Sequence, residues 1–272
     1  LGKTLEVLSL LLSEKEAKGS LHALVICPSS LVLNWENEVK KFAPALSVLP
    51  VIGTAEERTQ MFAHLAEYDL VITSYDLLKR DLEEYQRMVF DFEIVDEAQY
   101  IKNYRTQNAK AVKAVESKNR LAMTGTPIEN SLAELWSIFD FLMPDFLFSY
   151  THFKKYYETP IVKEKEDSVL EELRRMVTPF ILRRMKKDVL KELPEKTETV
   201  VYAQFGEAQE QLYKANLAEM RKELEQSFMQ EELSKNQFHI LAMLTRLRQL
   251  CCHPELVYDN YGGESAKSDA CL

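Results

Sequence analysis

The chain has 272 residues, 46% of them hydrophobic, which is enough for a sizeable buried core, and its formal net charge of -9 excludes a surface coated in nucleic-acid-binding charge. No run reaches the about 18 uninterrupted apolar residues of a membrane span, and the first residues read as an amphipathic helix rather than a cleavable leader. The four cysteines, Cys27, Cys251, Cys252 and Cys271, form no C-x-x-C pair, and five scattered histidines complete no zinc pattern, so the thiols read as reduced and the protein as cytosolic.

Along the first half, apolar β-branched runs alternate with helical patterns. The opening "LEVLSLLL" forms a helix; "ALVIC" (23 to 27) is a strand; "LVLNWENEVKKF" (31 to 42) is a helix with Leu31, Trp35, Val39 and Phe42 on one face, which makes Trp35 a core residue. Strands are expected again at 46 to 52, 69 to 74, 92 to 96 and 120 to 124, with helices at 55 to 66 and 106 to 116. Strands apolar throughout and separated by helices predict a parallel sheet with helices on both faces. From about Leu132 helices dominate: 131 to 142, 168 to 177, 207 to 229 and 231 to 250, interrupted by one strand-like run, "TETVVYAQF" (197 to 205). The long charged helices predict a helical protrusion, with a plain helical cap on the core as the alternative, and the polar "DNYGGESAKSDACL" reads as a linker.

Three stretches carry chemistry. Gly2-Lys3-Thr4 before a helix is the second half of a phosphate-binding loop, in which backbone amides and the helix N-terminus hold phosphate, Lys3 reaches the β and γ phosphates, and Thr4 offers its hydroxyl to magnesium. Alone, this tripeptide is equally a helix N-terminus with an exposed lysine. "FEIVDEAQ" ends a hydrophobic strand in adjacent carboxylates, and buried acids need a partner. A magnesium ion with a nucleotide phosphate is such a partner, with Asp96 on the metal and Glu97 orienting or deprotonating the attacking water. A helix N-cap at Asp96 is the bland alternative. The third stretch, "RLAMTGTP", is a strand running into a turn at Thr124, Gly125 and Thr126.

In this order and spacing, "GKT", "DEAQYIKN" and "MTGTPIENSLAELWSIFDFLMP" resemble the N-terminal motor lobe of Swi/Snf-type DNA translocases in helicase superfamily two. "VICPSSLVLNWENEVKKF", "DLVITSYDLL", "PFILRRMKKDVLKELPEKTE" and "LTRLRQLCCHPELV" extend the resemblance over nearly the whole chain, and Gln99, where many relatives carry His, resembles the bacterial branch. The resemblance implies an α/β, RecA-like lobe that hydrolyses ATP with Mg2+ against a second RecA-like lobe, moves along double-stranded DNA and remodels a DNA-bound protein target. It implies residence in the bacterial nucleoid, or in the nucleus of a eukaryote, and no membrane partner. Gln99 would couple the acidic pair to Thr124, Gly125 and Thr126, which would sense the γ-phosphate. The implied organisation is an ATP-binding lobe at 1 to 142, a helical insertion at 143 to 177, a returning segment of the lobe at 178 to 205, a protrusion at 206 to 250 and a linker from 251.

DNA-side candidates follow from strand ends. Pro28, Ser29 and Ser30 begin a helix where exposed amides and hydroxyls suit a phosphate, or where one serine caps the helix. Thr73, Ser74 and Tyr75 hold the corresponding place on the next strand. Lys102 and Asn103 contact DNA, position their loop, or are solvated. "FILRRMKKDV" heads a basic stripe in which Arg183 and Arg184 bind DNA, brace the second lobe, or pair with nearby acids. Cys251, Cys252 and His253 read as a packed helix end stopped by Pro254. Without the upstream half of the phosphate loop and the second lobe with its arginine fingers, the isolated chain is expected to turn over ATP negligibly. A strand-separating helicase and a non-catalytic scaffold are the alternative functions.

Overall fold

The structure, a computed structural model, describes residues 2–125, 131–184, 197–229 and 237–271, and the chain divides into two compact units, Leu1–Lys191 and Glu192–Leu272. The first unit is built on a five-stranded, all-parallel sheet in the order β2-β3-β1-β4-β5: β1 (Ala23–Cys27), β2 (Val48–Pro50), β3 (Leu70–Ser74), β4 (Val89–Val95) and β5 (Glu116–Ala122). Every residue of β1 and β3 is buried, as a parallel sheet covered on both faces requires.

The pleat of β1 separates two cores. Ala23, Val25 and Cys27 pack with Leu8 and Leu11 of α1 (Lys3–Lys18) and with Trp35 and Val39 of α2 (Val32–Phe42). Leu24 and Ile26 point to the other face and meet the second helical layer. That layer draws on α4 (Tyr75–Arg80), α5 (Leu82–Tyr85) and α6 (Gln107–Lys113), while α3 (Ala55–Phe62) lies between β2 and β3 in the chain. Local signals set the ends: α1 stops at Gly19, whose φ of 79° lets its amide return to the Lys15 carbonyl at 2.8 Å, and α3 starts with a Thr54/Glu57 capping box.

α7 (Leu132–Leu142) serves two cores. Phe141 joins the sheet core, whereas Leu135, Trp136 and Phe139 pack with Phe153 and Tyr157 and with Leu173 and Val177 of α9 (Asp167–Val177). Phe153 ends the short α8 (Tyr150–Phe153), and Tyr157 lies in the π-helical turns that continue it. α7 thus packs against both the sheet and the helices of 150–177.

In the second unit, helices Glu207–Met229 and Gln237–Cys252 pair around Met220, Leu247 and Leu250. One expectation is corrected here. The run at 197–205 forms no strand: Val200, Val201 and Tyr202 are 71%, 71% and 90% exposed, because strand propensity is realised only against a partner edge. The terminal segment expected as a linker contains a short helix, Ala266–Cys271. No described helix is long and apolar enough to cross a membrane.

Candidate nucleotide site

The C-terminal ends of β4 and β5 and the start of α1 meet at one place. Gly2 precedes α1 with φ 76°, a left-handed conformation open to glycine, and so brings Lys3 into the first helical turn. From there the Lys3 ammonium reaches 3.9 Å from Glu97 Oε1, with the two side chains 38% and 32% exposed. Thr4 follows in the same turn.

β4 is held through its exit. The Asp96 amide donates to the Ile26 carbonyl of β1 at 2.8 Å, and the Met123 amide donates to the Val95 carbonyl at 2.8 Å. Glu97 then takes φ 51°, ψ 57°, a left-handed conformation that in a non-glycine residue costs about 1–3 kcal/mol and gathers at functional sites. The Ala98 amide returns to the Met123 carbonyl at 2.8 Å, tying the turn back to β5.

The side chains of this turn form a relay. Gln99 Nε2 donates to Glu97 Oε2 at 2.8 Å, and Thr124 Oγ1 donates to Gln99 Oε1 at 3.2 Å. Lys3, Glu97, Gln99 and Thr124 therefore form one polar chain from the first turn of α1 to the end of β5. Gly125 follows exposed, whereas Thr126 and Asn130 lie outside the described residues.

Asp96 is only 8% exposed, and both its oxygens are engaged: the Glu97 amide donates to Oδ1 at 2.8 Å and the Trp35 indole N–H to Oδ2 at 3.0 Å. Its carbonyl accepts the Tyr75 hydroxyl at 2.7 Å. Burial and the Asp96 charge push the neighbouring Cys27 thiol up to about 12, so it stays protonated, and the same two causes raise the Tyr75 phenol. The oxygen donors Thr4 and Asp96 fit a magnesium ion, which keeps several waters and phosphate oxygens and needs few protein ligands. No cluster of His, Cys, Asp or Glu suited to an all-protein metal cage occurs among the described residues.

Beside the site a groove of about 480 Å³ runs along β5. Its walls include Lys3, Thr124, Gly125 and Arg183, but most of its lining, from Val7 and Leu10 to Phe139 and Phe180, is apolar. Its charged lining comes from Lys3, Glu6, Arg120 and Arg183.

Several expected DNA contacts are corrected by burial. Thr73 is fully buried, Ser74 turns its hydroxyl to the Leu77 amide at 3.3 Å as the cap of α4, and Tyr75 is 3% exposed with its hydroxyl committed to Asp96. They are buried at the junction of β3 and α4, which closes them to a polymer. Ser29 and Ser30 are exposed, and neither hydroxyl caps α2, which leaves both open to a ligand, with Pro28 half-buried beside them.

Lys102 pairs with Glu134 at 3.3 Å, and Asn103 Oδ1 accepts the Arg105 amide at 3.0 Å in a local turn. Of the three alternatives for the arginines, Arg184 takes the acid pair, with Glu6 of α1, while Arg183 is exposed at the groove. Lys186, Lys187 and Lys191 of the basic stripe lie outside the described residues.

Sequence reasoning assigned Trp35 to the core, where it lies 1% exposed, and missed its bond to Asp96. The available signal was the indole N–H, which needs an acceptor once buried.

Comparison with known proteins matches residues 1–256 to the SNF2-related domain. The chain is 36% identical over 280 residues to the TATA-binding protein-associated factor MOT1 of Saccharomyces cerevisiae, covering 94% of this chain and 15% of that protein. It is 38% identical over 261 residues to an uncharacterised ATP-dependent helicase of Mycoplasma genitalium, covering 96% and 24%. Among solved structures, the Sulfolobus solfataricus SWI2/SNF2 ATPase core in complex with dsDNA matches with a TM-score of 0.65 at 38% identity, over 100% of this chain and 56% of that one. The chain thus spans a quarter or less of these curated relatives' lengths. The parallel sheet with its two helical layers is a RecA-like fold, and the chain belongs to the SNF2-related family.

Proposed function

We propose that this chain is the N-terminal motor lobe of an ATP-driven translocase on double-stranded DNA that remodels DNA-bound protein complexes. The observation that carries the reading is the polar chain from Lys3 through Glu97 and Gln99 to Thr124, since a scaffold has no use for a lysine, an acidic pair and a threonine turn in one relay. In the reading, 1 to 142 and 178 to 205 belong to the lobe, 143 to 177 and 206 to 250 are helical additions, and a second RecA-like lobe follows the linker from 251. Its place of action is wherever the DNA lies, a bacterial nucleoid or a nucleus.

Lys3 binds the β and γ phosphates, and its partnership with Glu97 is exchanged for the nucleotide. Thr4 and Asp96 would hold Mg2+, which would supply charge neutralisation at the phosphates. Glu97, held by Gln99, orients the attacking water and accepts its proton. Thr124 and Gly125, with Thr126, carry the change at Glu97 to the end of β5. Ser29 and Ser30 present hydroxyls to a DNA phosphate, which positions the duplex without reading its sequence. The second lobe supplies arginine fingers worth about three or more orders of magnitude in rate, so the isolated chain turns over negligibly.

The test is the ATPase rate of the whole protein with and without duplex DNA, beside Glu97→Gln. Stimulation by duplex that the variant loses supports the reading. A rate indifferent to DNA overturns the DNA motor while retaining a nucleotide site, strand displacement would identify a helicase instead, and absence of any hydrolysis would leave a scaffold.

A further inference from the structure

We propose that Trp35 is a positioning residue for Asp96, and that through its indole α2 sets the orientation of the acidic pair. The inference rests on the nucleotide-site reading above. Trp35 lies in the first turn of α2, directly after the Ser29–Leu31 turn that carries the exposed hydroxyls. It belongs to the buried cluster that also holds Val25, Cys27, Val39 and Ile94, and it is 1% exposed. A buried indole could satisfy its N–H on any backbone carbonyl; here it donates to Asp96 Oδ2 at 3.0 Å, across 61 residues of chain.

The consequence is mechanical. Asp96 is gripped from three elements: α2 holds Oδ2 through Trp35, α4 holds the carbonyl through Tyr75, and β1 accepts the amide at Ile26. Glu97 is the next residue, and it takes a left-handed backbone directly after the fixed Asp96. Trp35 has few rotatable bonds and no room to re-orient in a packed core, so displacement of α2 moves the carboxylate with it. A contact made at Ser29 or Ser30 reaches Asp96 through one turn of helix and one hydrogen bond. The charge-assisted bond leaves the carboxylate a single orientation, the property that a metal-holding oxygen needs.

Trp35→Phe keeps an aromatic ring in the core and removes only the donor. In the whole protein the Mg2+ concentration for half-maximal ATP hydrolysis is expected to rise roughly fivefold, and the duplex-stimulated kcat to fall roughly tenfold, with the ATP KM little changed. Val39→Ala, on the same buried face but at a side chain with no donor to offer Asp96, controls for packing: it is expected to lower stability and leave the Mg2+ dependence as in the wild type.

An active wild type whose Trp35→Phe variant keeps the wild-type Mg2+ dependence overturns the inference alone, as does an equal shift in Val39→Ala. A wild type without Mg2+-dependent hydrolysis overturns the nucleotide-site reading, and the inference falls with it. Should Trp35→Phe fail to fold, the wild-type indole proton resonances decide. The chain has two tryptophans, and Trp136 donates to the Phe148 carbonyl at 3.1 Å, away from the acidic pair, as an internal reference. Adding Mg2+ with a non-hydrolysable ATP analogue is expected to move the Trp35 signal and leave that of Trp136; an unmoved Trp35 signal overturns the inference.

Discussion

Gln99 bridges Glu97 and Thr124, donating through Nε2 to the carboxylate at 2.8 Å and accepting the threonine hydroxyl on Oε1 at 3.2 Å. Each end of the amide faces the group it suits, so the bridge has one orientation. Gln99→Ala removes both bonds while leaving Lys3 in place. We expect kcat to fall roughly ten- to hundredfold, from about 1.5–3 kcal/mol for a hydrogen bond to a charged group, with little change in the KM for ATP. Steady-state hydrolysis by the whole protein measures it, and an unchanged kcat would show the bridge to be idle.

Lys3→Ala acts on binding instead. Loss of the ammonium is expected to weaken nucleotide affinity roughly ten- to hundredfold in a titration with labelled ATP. The melting temperature without nucleotide should stay within a degree or two, since the pair with Glu97 is 38% and 32% exposed and such pairs contribute about 0–1 kcal/mol. A large loss of stability would mean that the lysine is structural.

Arg58 and Asp81 form the most enclosed two-point ion pair described, with side chains 6% and 15% exposed, Nε to Oδ2 at 2.6 Å and Nη2 to Oδ1 at 2.9 Å. Arg58 also donates to the Gly53 carbonyl at 2.8 Å, tying the start of α3 to the end of α4. Arg58→Ala strands the Asp81 charge and is expected to destabilise the first unit by about 3–5 kcal/mol in a denaturant titration. A loss below about 1 kcal/mol would mean that Asp81 regains water.

Glu93 sits wholly buried in the middle of the sheet. Ser117 donates to its Oε2 at 3.0 Å, Arg120 Nε lies 3.3 Å from the same oxygen, and Oε1 has no partner among the described residues. Burial outweighs these partners and pushes the carboxyl up to about 8 from its ordinary 4.5. A raised carboxyl binds its proton more tightly in the folded state. Stability from this group is therefore fully present below pH 4.5 and is lost as the pH rises towards 8. Glu93→Gln mimics the protonated form, so its denaturation midpoint is expected to lack this decline, and the variant should gain on the wild type between pH 5 and 9. Parallel profiles for the two proteins would show Glu93 to be ionised in the fold.

Much of the lobe was legible along the chain because its signals are local. Apolar, β-branched runs at 23–27 and 69–74 announced strands, the i, i+4 spacing of Trp35 and Val39 announced the buried face of α2, and the lysine, acidic pair and threonine turn were singled out as one group before the fold brought them together. These depend on periodicity and residue type, which the amino-acid sequence by itself determines.

What the tertiary structure decided depends on who meets whom across long separations. Thr73, Ser74 and Tyr75 have the composition of a phosphate-binding strand end, yet all three are buried, and the Tyr75 hydroxyl serves Asp96 instead. Val200 and Val201 have strand propensity but stand exposed, since propensity needs an edge to pair with. Trp35 and Asp96, 61 positions apart, and Arg184 and Glu6, at opposite ends of the first unit's chain, meet only because the sheet order brings α2 over β4 and the segment after α9 back to α1. Side-chain partnership is a property of packed surfaces, and packing is resolved only when the whole fold closes.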